Sequence, residues 1–238
     1  MSVFLLLIAL TAAATATGFK KPYRVLVFSK TKGFRHESIE VGKTALIQLG
    51  LRNGFHVDTT ENADYFTEMT LKKYKAIIFF NTTGDVLSND QQSAFEGFIK
   101  SGGGFVGIHS ATDTEYDWPW YGQLVGAYFK NHPEIQPAIM RKSKDTDLTR
   151  DLPKDWKRED EWYNFKQISS DIDVLYTLDE SSYQGGENGS DHPISWKHEV
   201  EEGRAFYTAL GHTKESYADP LFLNHILRGI QYSVKDIK

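Results

Sequence analysis

Short, uninterrupted apolar runs alternate with helix-like stretches through the first half of the chain, and this alternation restricts the possible folds most strongly. The runs YRVLVFS (23–29), KAIIFFN (75–81) and FVGIH (105–109) are typical of strands buried on both faces, and FHVDTTEN alternates as a further strand. Between them, ESIEVGKTALIQLGLRNG has apolar residues at helical spacing and ends at Gly54, and SNDQQSAFEGFIKSGGG begins at the N-cap residue Ser88. Strands separated by helices need crossover connections, so the pattern predicts an α/β fold with a mainly parallel sheet and helices on both faces.

The second half of the chain has a different pattern. Four segments read as shorter, partly alternating strands joined by turn residues: EIQPAIMRK, DVLYTLDE, HPISWKHE and GRAFYTALGH. The last stretch, DPLFLNHILRGIQYSV, has the period of an amphipathic helix. We expect these strands to extend the sheet or to form extra β-hairpins beside it.

Composition excludes several classes of function. The chain of 238 residues has no cysteine, which excludes disulfides, cysteine-bound zinc and thiol nucleophiles. Its formal net charge is −5, without a block of clustered Lys and Arg, so nucleic acid is not expected as a partner. No repeat or low-complexity linker divides residues 17–238, and we expect them to form one domain.

The N-terminal segment MSVFLLLIALTAAATA (1–16) is interpreted as a signal peptide. Its apolar run is followed by Ala14, Thr15 and Ala16, a pattern of small residues typical of a cleavage site. The run is shorter than the roughly 20 residues that span a bilayer, so stable membrane insertion is not expected. The sequence therefore predicts a secreted or periplasmic protein.

Several motifs occur in an ordered series: GFRHES, GGGFVGIHSATDT, DEWYNF, HPISW and GRAFYTALGH. With them the sequence resembles the ThuA-like family, named for trehalose utilisation, within the class I glutamine amidotransferase-like superfamily. The resemblance covers residues 23–234 and implies a flavodoxin-like sheet, with His109 at the strand-to-helix elbow where amidotransferases carry a nucleophilic cysteine. Because GIHSA (107–111) departs from the amidotransferase pattern Gly-x-Cys-x-Gly, glutaminase activity is not expected.

His109 is the central candidate for a functional site. It ends a predicted strand at the edge where parallel sheets bind ligands, and an elbow there would place the backbone N–H groups of the next helix beneath an anion. A histidine can serve as a catalytic acid or base, or as the ligand of a divalent metal. The alternative is a buried histidine that only satisfies backbone hydrogen bonds.

His36 and His212 also follow strand-like segments and can converge with His109 on one rim. All three are candidate metal ligands; His212 is also a candidate catalytic group, and His36 a substrate-binding one. Glu161 is a candidate base, ligand or histidine-orienting group, and Tyr163 a substrate-binding residue. The alternatives are a helix-capping contact for His36 and a solvated surface charge within KREDE for Glu161.

Aromatic residues after the elbow indicate a carbohydrate ligand. Trp118 could face the C–H surface of a sugar while Asp113 binds its hydroxyl groups, although these aromatic rings could instead pack on the core. His132 and His192 each precede a proline as in the family, but such sequences are also common in turns.

Two functions remain open at this level. The first is a sugar-modifying enzyme, acid/base or metal-assisted, that acts on a disaccharide or keto-sugar by proton transfer. The second is a non-catalytic sugar-binding or accessory protein on the same fold. A dinucleotide-dependent dehydrogenase is disfavoured, because the glycines of SGGGFVG precede a strand and do not lie between strand and helix.

Overall fold

The computed structural model describes residues 22–238, so the predicted signal peptide lies outside the described residues. Within that range, no helix has both the length and the apolar character that crossing a membrane requires.

Nine strands form the central sheet. They are β1 (Arg24–Phe28), β2 (His56–Thr60), β3 (Ala76–Phe80), β4 (Gly104–Ile108), β6 (Gln136–Lys142), β7 (Asp155–Asp160), β9 (Asp173–Leu178), β10 (Pro193–Val200) and β11 (Gly203–Thr208), and a separate pair is formed by β5 (Tyr128–Asn131) and β8 (Asn164–Lys166). Their order is β2-β1-β3-β4-β11-β10-β9-β6-β7. The pairings from β2 to β11 are parallel, and those from β11 to β7 are antiparallel.

Five α-helices accompany these strands in the described range. They are α1 (Ile39–Asn53), α2 (Glu68–Leu71), α3 (Asn89–Lys100), α4 (Pro119–Val125) and α5 (Pro220–Ser233). Both predicted helix signals are present: Gly54 follows α1 with a φ of 76°, and Ser88 forms a capping box with Gln91 at the start of α3.

Helices cover both faces of the parallel part of the sheet. Successive side chains of a strand point to opposite faces. On β3, the ring of Phe79 stacks 5.2 Å from that of Phe95 on α3, whereas Phe80 contacts the surface of α1 at Gly42. The predicted α/β fold is thereby confirmed.

The antiparallel strands continue the sheet beyond β11, which is one of the two expected arrangements. A hairpin joins β10 to β11 through Glu201, whose φ is 53°. Strand β7 was not predicted, because its segment DWKRED is mostly charged. The carboxyl ends of the parallel strands share one edge, and the loops after β1, β4 and β11 bring His36, His109 and His212 there.

Candidate functional site

His109 occupies a backbone elbow immediately after β4. It is fully buried, and its φ of 52° lies in the left-handed region that non-glycine residues seldom adopt. Its Nδ1 lies 2.7 Å from the carbonyl oxygen of Ala209. We assign the ring proton to Nδ1, which donates to this carbonyl and leaves the lone pair of Nε2 facing the cleft.

The segment after the elbow begins with a short helical turn. The chain makes a single 3-10 turn over His109–Thr112, and α4 begins only at Pro119. Side-chain hydroxyls of Tyr207 and Tyr121 donate to the carbonyls of His109 and Ala111 at 2.7 Å, so these carbonyls need no helical partners. The elbow is therefore followed by a 3-10 turn and not directly by an α-helix.

Four of the predicted residues converge at this elbow. His36, His109, Glu161 and His212 each offer one ligand atom, and these atoms all lie within 4.8 Å of one another. Oε2 of Glu161 is 3.3 Å from Nε2 of His109 and 3.1 Å from Nδ1 of His212, and the two histidine nitrogens are 3.3 Å apart. We call these four residues the His3Glu cluster.

A buried carboxylate fixes two members of the His3Glu cluster. Asp160, fully buried at the end of β7, accepts hydrogen bonds from the backbone N–H groups of Glu161, Gly211 and His212 at 3.0–3.1 Å. Its charge is paired with Arg158 at 3.1 Å. Asp160 therefore ties the end of the antiparallel strand β7 to the loop after the parallel strand β11.

Burial and mutual charge set the protonation states in the cluster. Burial, with the neighbouring His109 and His212, lowers the pKa of His36 to about 2, so this imidazole is neutral at pH 7. Burial alone would raise the pKa of Glu161, but the imidazoles of His109 and His212 beside its carboxylate outweigh burial and hold that pKa well below its usual value. Burial would lower the pKa of His212, yet its hydrogen bond with the Glu161 carboxylate raises it.

Tyr163 and Asp113 border the cluster. The Tyr163 ring is buried, and its centroid lies 4.3 Å from that of His109. Asp113 is half-buried and accepts a 2.6 Å hydrogen bond from the hydroxyl of Tyr116. Burial raises the pKa of the Asp113 carboxyl, while the hydrogen bond from Tyr116 opposes that rise.

Trp118 packs against other aromatic rings. Its ring stacks 5.0 Å from that of Trp120 and 6.0 Å from that of Tyr121, and it meets Phe95 of α3 edge-on at 6.4 Å. These contacts belong to core packing, which is the alternative that the sequence left open for the aromatic residues.

His132 joins the site although the sequence pattern did not single it out. Its Nδ1 lies 3.3 Å from Oε1 of Glu161, the oxygen that faces away from His109 and His212. The side chain is 41% exposed, which makes it the solvent-facing neighbour of the cluster. The only sequence signal was the family pattern Asn-His-Pro, which is indistinguishable from a common turn.

The donor set fits a divalent transition metal. Ligand atoms about 2.0–2.2 Å from a tetrahedral ion lie about 3.3–3.5 Å from one another. The separations of 3.1–3.3 Å among the donors of His109, Glu161 and His212 are close to this value. Imidazole and carboxylate ligands suit Zn, Mn, Fe, Co and Ni ions, and the Ala209 carbonyl orients the His109 ring as outer groups commonly do at metal sites.

A pocket of about 400 Å³ opens beside the cluster, with His212 in its wall. A larger pocket of about 710 Å³ lies at the β2 edge, lined by residues that include Arg24, Asp58 and Tyr65, and it contains no member of the His3Glu cluster. Of these two pockets, the smaller one can bring a ligand to His212.

The sequence model of the ThuA family, described as trehalose utilisation, matches residues 24–233. This chain belongs to the ThuA family. Two ThuA-like proteins of known structure resemble it: one from Bacteroides uniformis (22% identity, 95% of this chain and 97% of that one, TM-score 0.78) and one from Parabacteroides merdae (18%, 91% and 91%, TM-score 0.76). At these identities the structural likeness shows a shared fold.

The ThuA fold also resembles part of a larger protein. A β-galactosidase from Bacillus circulans aligns with 91% of this chain over 31% of its own length, at 14% identity and a TM-score of 0.55. The comparison with curated proteins returned no match. Membership of the ThuA family supports a role in carbohydrate utilisation in general.

Proposed function

We propose that this protein is an exported carbohydrate-modifying enzyme that uses a divalent metal ion, held by the His3Glu cluster, to act on a disaccharide or keto-sugar. The observation that carries the proposal is the convergence of four donor atoms within 4.8 Å at the carboxyl edge of the sheet. Family membership supports a sugar as substrate, because the family is described by trehalose utilisation.

Electrostatics favour a metal over a purely acid/base cluster. His36 is neutral at pH 7 because its pKa is lowered to about 2, so it contributes a lone pair and no positive charge. The Nδ1–H group of His109 donates its hydrogen bond to the carbonyl oxygen of Ala209. A buried carboxylate surrounded by three imidazoles is well suited to a cation, which would displace the proton that His212 shares with Glu161 and would be bound by all four groups at once.

The chemistry that fits this site is proton transfer at a carbon next to a sugar carbonyl. A base takes the proton from that carbon, the C–H electron pair forms a carbon–carbon double bond, and the carbonyl electron pair moves to oxygen. A cation at the cluster would stabilise the negative charge on that oxygen. His132 is our candidate for the base, because it lies beside Glu161 and outside the four-donor set.

A direct test combines metal analysis with isotope exchange. The mature protein is stripped with a chelator, titrated with Zn²⁺ or Mn²⁺, and incubated in D₂O with trehalose oxidised to a ketone at one ring carbon; trehalose itself, which has no carbonyl group, is the negative control for exchange. We expect about one ion per chain and deuterium incorporation next to the carbonyl. His109→Ala should lose the ion and lower exchange by at least about 10²-fold, whereas His56→Ala, at an exposed histidine on β2, should do neither.

The outcomes separate the two functions. Sugar binding without exchange or product, in protein loaded with metal, would support the non-catalytic sugar-binding alternative. Exchange that persists in stripped protein would support acid/base catalysis without a metal. Absence of both metal and sugar binding would contradict the proposed function.

A further inference from the structure

Phe34 is an exposed aromatic residue beside an otherwise buried cluster. Its side chain is 64% exposed, whereas Tyr163, on the other side of His109, is 3% exposed. The Phe34 ring meets that of His36 edge-on, with centroids 4.9 Å apart. An apolar ring thus faces solvent while touching a member of the His3Glu cluster.

The backbone that carries Phe34 is held in place. Oγ1 of Thr83 accepts a hydrogen bond from the N–H of Gly33 at 3.1 Å and donates one to the carbonyl oxygen of Phe34 at 3.0 Å. The backbone N–H of Lys32 donates to the carbonyl of Thr83 at 2.7 Å. These bonds anchor the loop to the segment after β3, so the exposure of the ring comes from an ordered loop. Such preorganisation lowers the entropy cost of binding.

The pocket around Phe34 combines this ring with polar groups. Its lining consists of Phe34, Glu37, His212, Thr213, Lys214 and Glu215, and its volume is about 400 Å³. Nζ of Lys214 donates to Glu37 at 2.6 Å across the pocket, joining the loops that follow β1 and β11. This ion pair is largely exposed and therefore contributes little to stability, so its groups are available to ligand hydroxyls.

We propose that Phe34 is the platform on which a pyranose ring stacks at the entrance to the His3Glu cluster. A pyranose has one face of C–H groups and a rim of hydroxyls. The phenyl ring matches the C–H face, and Glu37, Thr213 and Lys214 match the rim. Stacked there, the sugar would extend from Phe34 past His36 toward His212. This proposal rests on the proposed function, because it assumes a sugar ligand.

The test compares four proteins loaded with Zn²⁺: wild type, Phe34→Ala, Phe34→Trp and Tyr65→Ala. Tyr65 is the matched control, since it is 41% exposed and lines the pocket at the β2 edge. Binding of trehalose and its keto derivative is measured by calorimetry, and saturation-transfer NMR shows which sugar protons lie near the protein. We expect Phe34→Ala to weaken binding about tenfold and to reduce saturation of the C–H face. Phe34→Trp should bind at least as well as wild type.

Metal content and melting temperature are read in the same samples. Because Phe34 is exposed, its replacement should leave both unchanged. Equal sugar affinity in wild type and Phe34→Ala would contradict the proposed stacking role of Phe34 and would leave the proposed function intact. If the metal-loaded wild type binds none of these sugars, both the platform and the carbohydrate part of the proposed function are wrong. If Tyr65→Ala weakens sugar binding and Phe34→Ala does not, the sugar site lies in the pocket at the β2 edge and the proposal is wrong.

Discussion

Nε2 of His109 and Oε2 of Glu161 lie 3.3 Å apart, although one residue follows the parallel strand β4 and the other follows the antiparallel strand β7. The contact therefore links the parallel part of the sheet to its antiparallel part. Asp160 makes it possible, because its carboxylate binds the N–H group of Glu161 and that of His212.

Asp160→Asn should weaken the site without touching a ligand atom. The amide can no longer accept all of the backbone hydrogen bonds, and Arg158 loses the nearer of its two carboxylate partners, keeping only Asp219 at 3.4 Å. We expect Zn²⁺ affinity to fall about 10–100-fold, as for other changes around metal ligands, and the free energy of unfolding to fall by about 3–5 kcal/mol. Calorimetric Zn²⁺ titration and urea denaturation measure the two effects. Glu159→Gln, at the exposed neighbouring position on β7, is the control and should change neither.

His36 should make the metal-free protein sensitive to acid. Its pKa is lowered to about 2 in the folded state and is about 6.5 when unfolded, so between these values the unfolded chain binds the extra proton. Stability is therefore lost as the pH falls below about 6.5, by up to about 1.4 kcal/mol per pH unit. Urea denaturation of chelator-treated protein from pH 7 to pH 5 should show a smaller loss for His36→Asn than for wild type. Parallel curves for the two proteins would contradict this assignment.

Gly42 should be intolerant of a side chain. A Cβ atom at this position would lie 2.3 Å from Cζ of Phe80, so Gly42→Ala forces α1 away from the sheet. We expect a loss of about 1–3 kcal/mol in the free energy of unfolding. Gly97→Ala is the matched control, because that glycine is also helical but has no atom within 4 Å of the added Cβ; it should be neutral or stabilising by about 0.4–1 kcal/mol. Thermal and urea denaturation of both variants give the comparison.

The protein should release no ammonia from glutamine. The chain has no cysteine, and His109 occupies the elbow where an amidotransferase would carry its thiol. A coupled glutamate dehydrogenase assay detects the product directly. Ammonia release by wild type that disappears in His109→Ala would disprove this prediction.

The mature protein should begin near Thr17. The apolar run and the residues Ala14 to Ala16 form the predicted cleavage site, within a segment outside the described residues. N-terminal sequencing of protein from the native host and fractionation of its cells provide the measurement. Intact Met1 on protein recovered from the cytoplasm would exclude export by this signal.

Sequence reasoning predicted the parallel half of the fold because its strands are apolar on both faces. Strand β7 was not predicted, because charged residues occupy positions that are apolar in most strands. In DWKRED the inward positions are Trp156, Arg158 and Asp160, and a buried aspartate paired with an arginine does not resemble the apolar alternation of a strand. The short pair β5 and β8 offers too few residues for any period to be recognised.

For the site, the rule that parallel strands end at one edge was sufficient to group His36, His109 and His212. Glu161 needed the family motif, since its own surroundings look like a solvated run of charge. His132 and Phe34 could not be predicted, because loop residues carry no periodic signal and their positions depend on hydrogen bonds to distant segments, such as those from Thr83.

The placement of the four donors has a consequence for how the protein is made. His36 lies near the start of the described chain and His212 follows the last strand, so a nascent chain cannot assemble the site until nearly all of it has been synthesised. The ion would therefore be acquired only where folding is completed. For the exported protein that we propose, the metal supply in the compartment of folding, rather than in the compartment of synthesis, would decide which of several metals of similar affinity it carries.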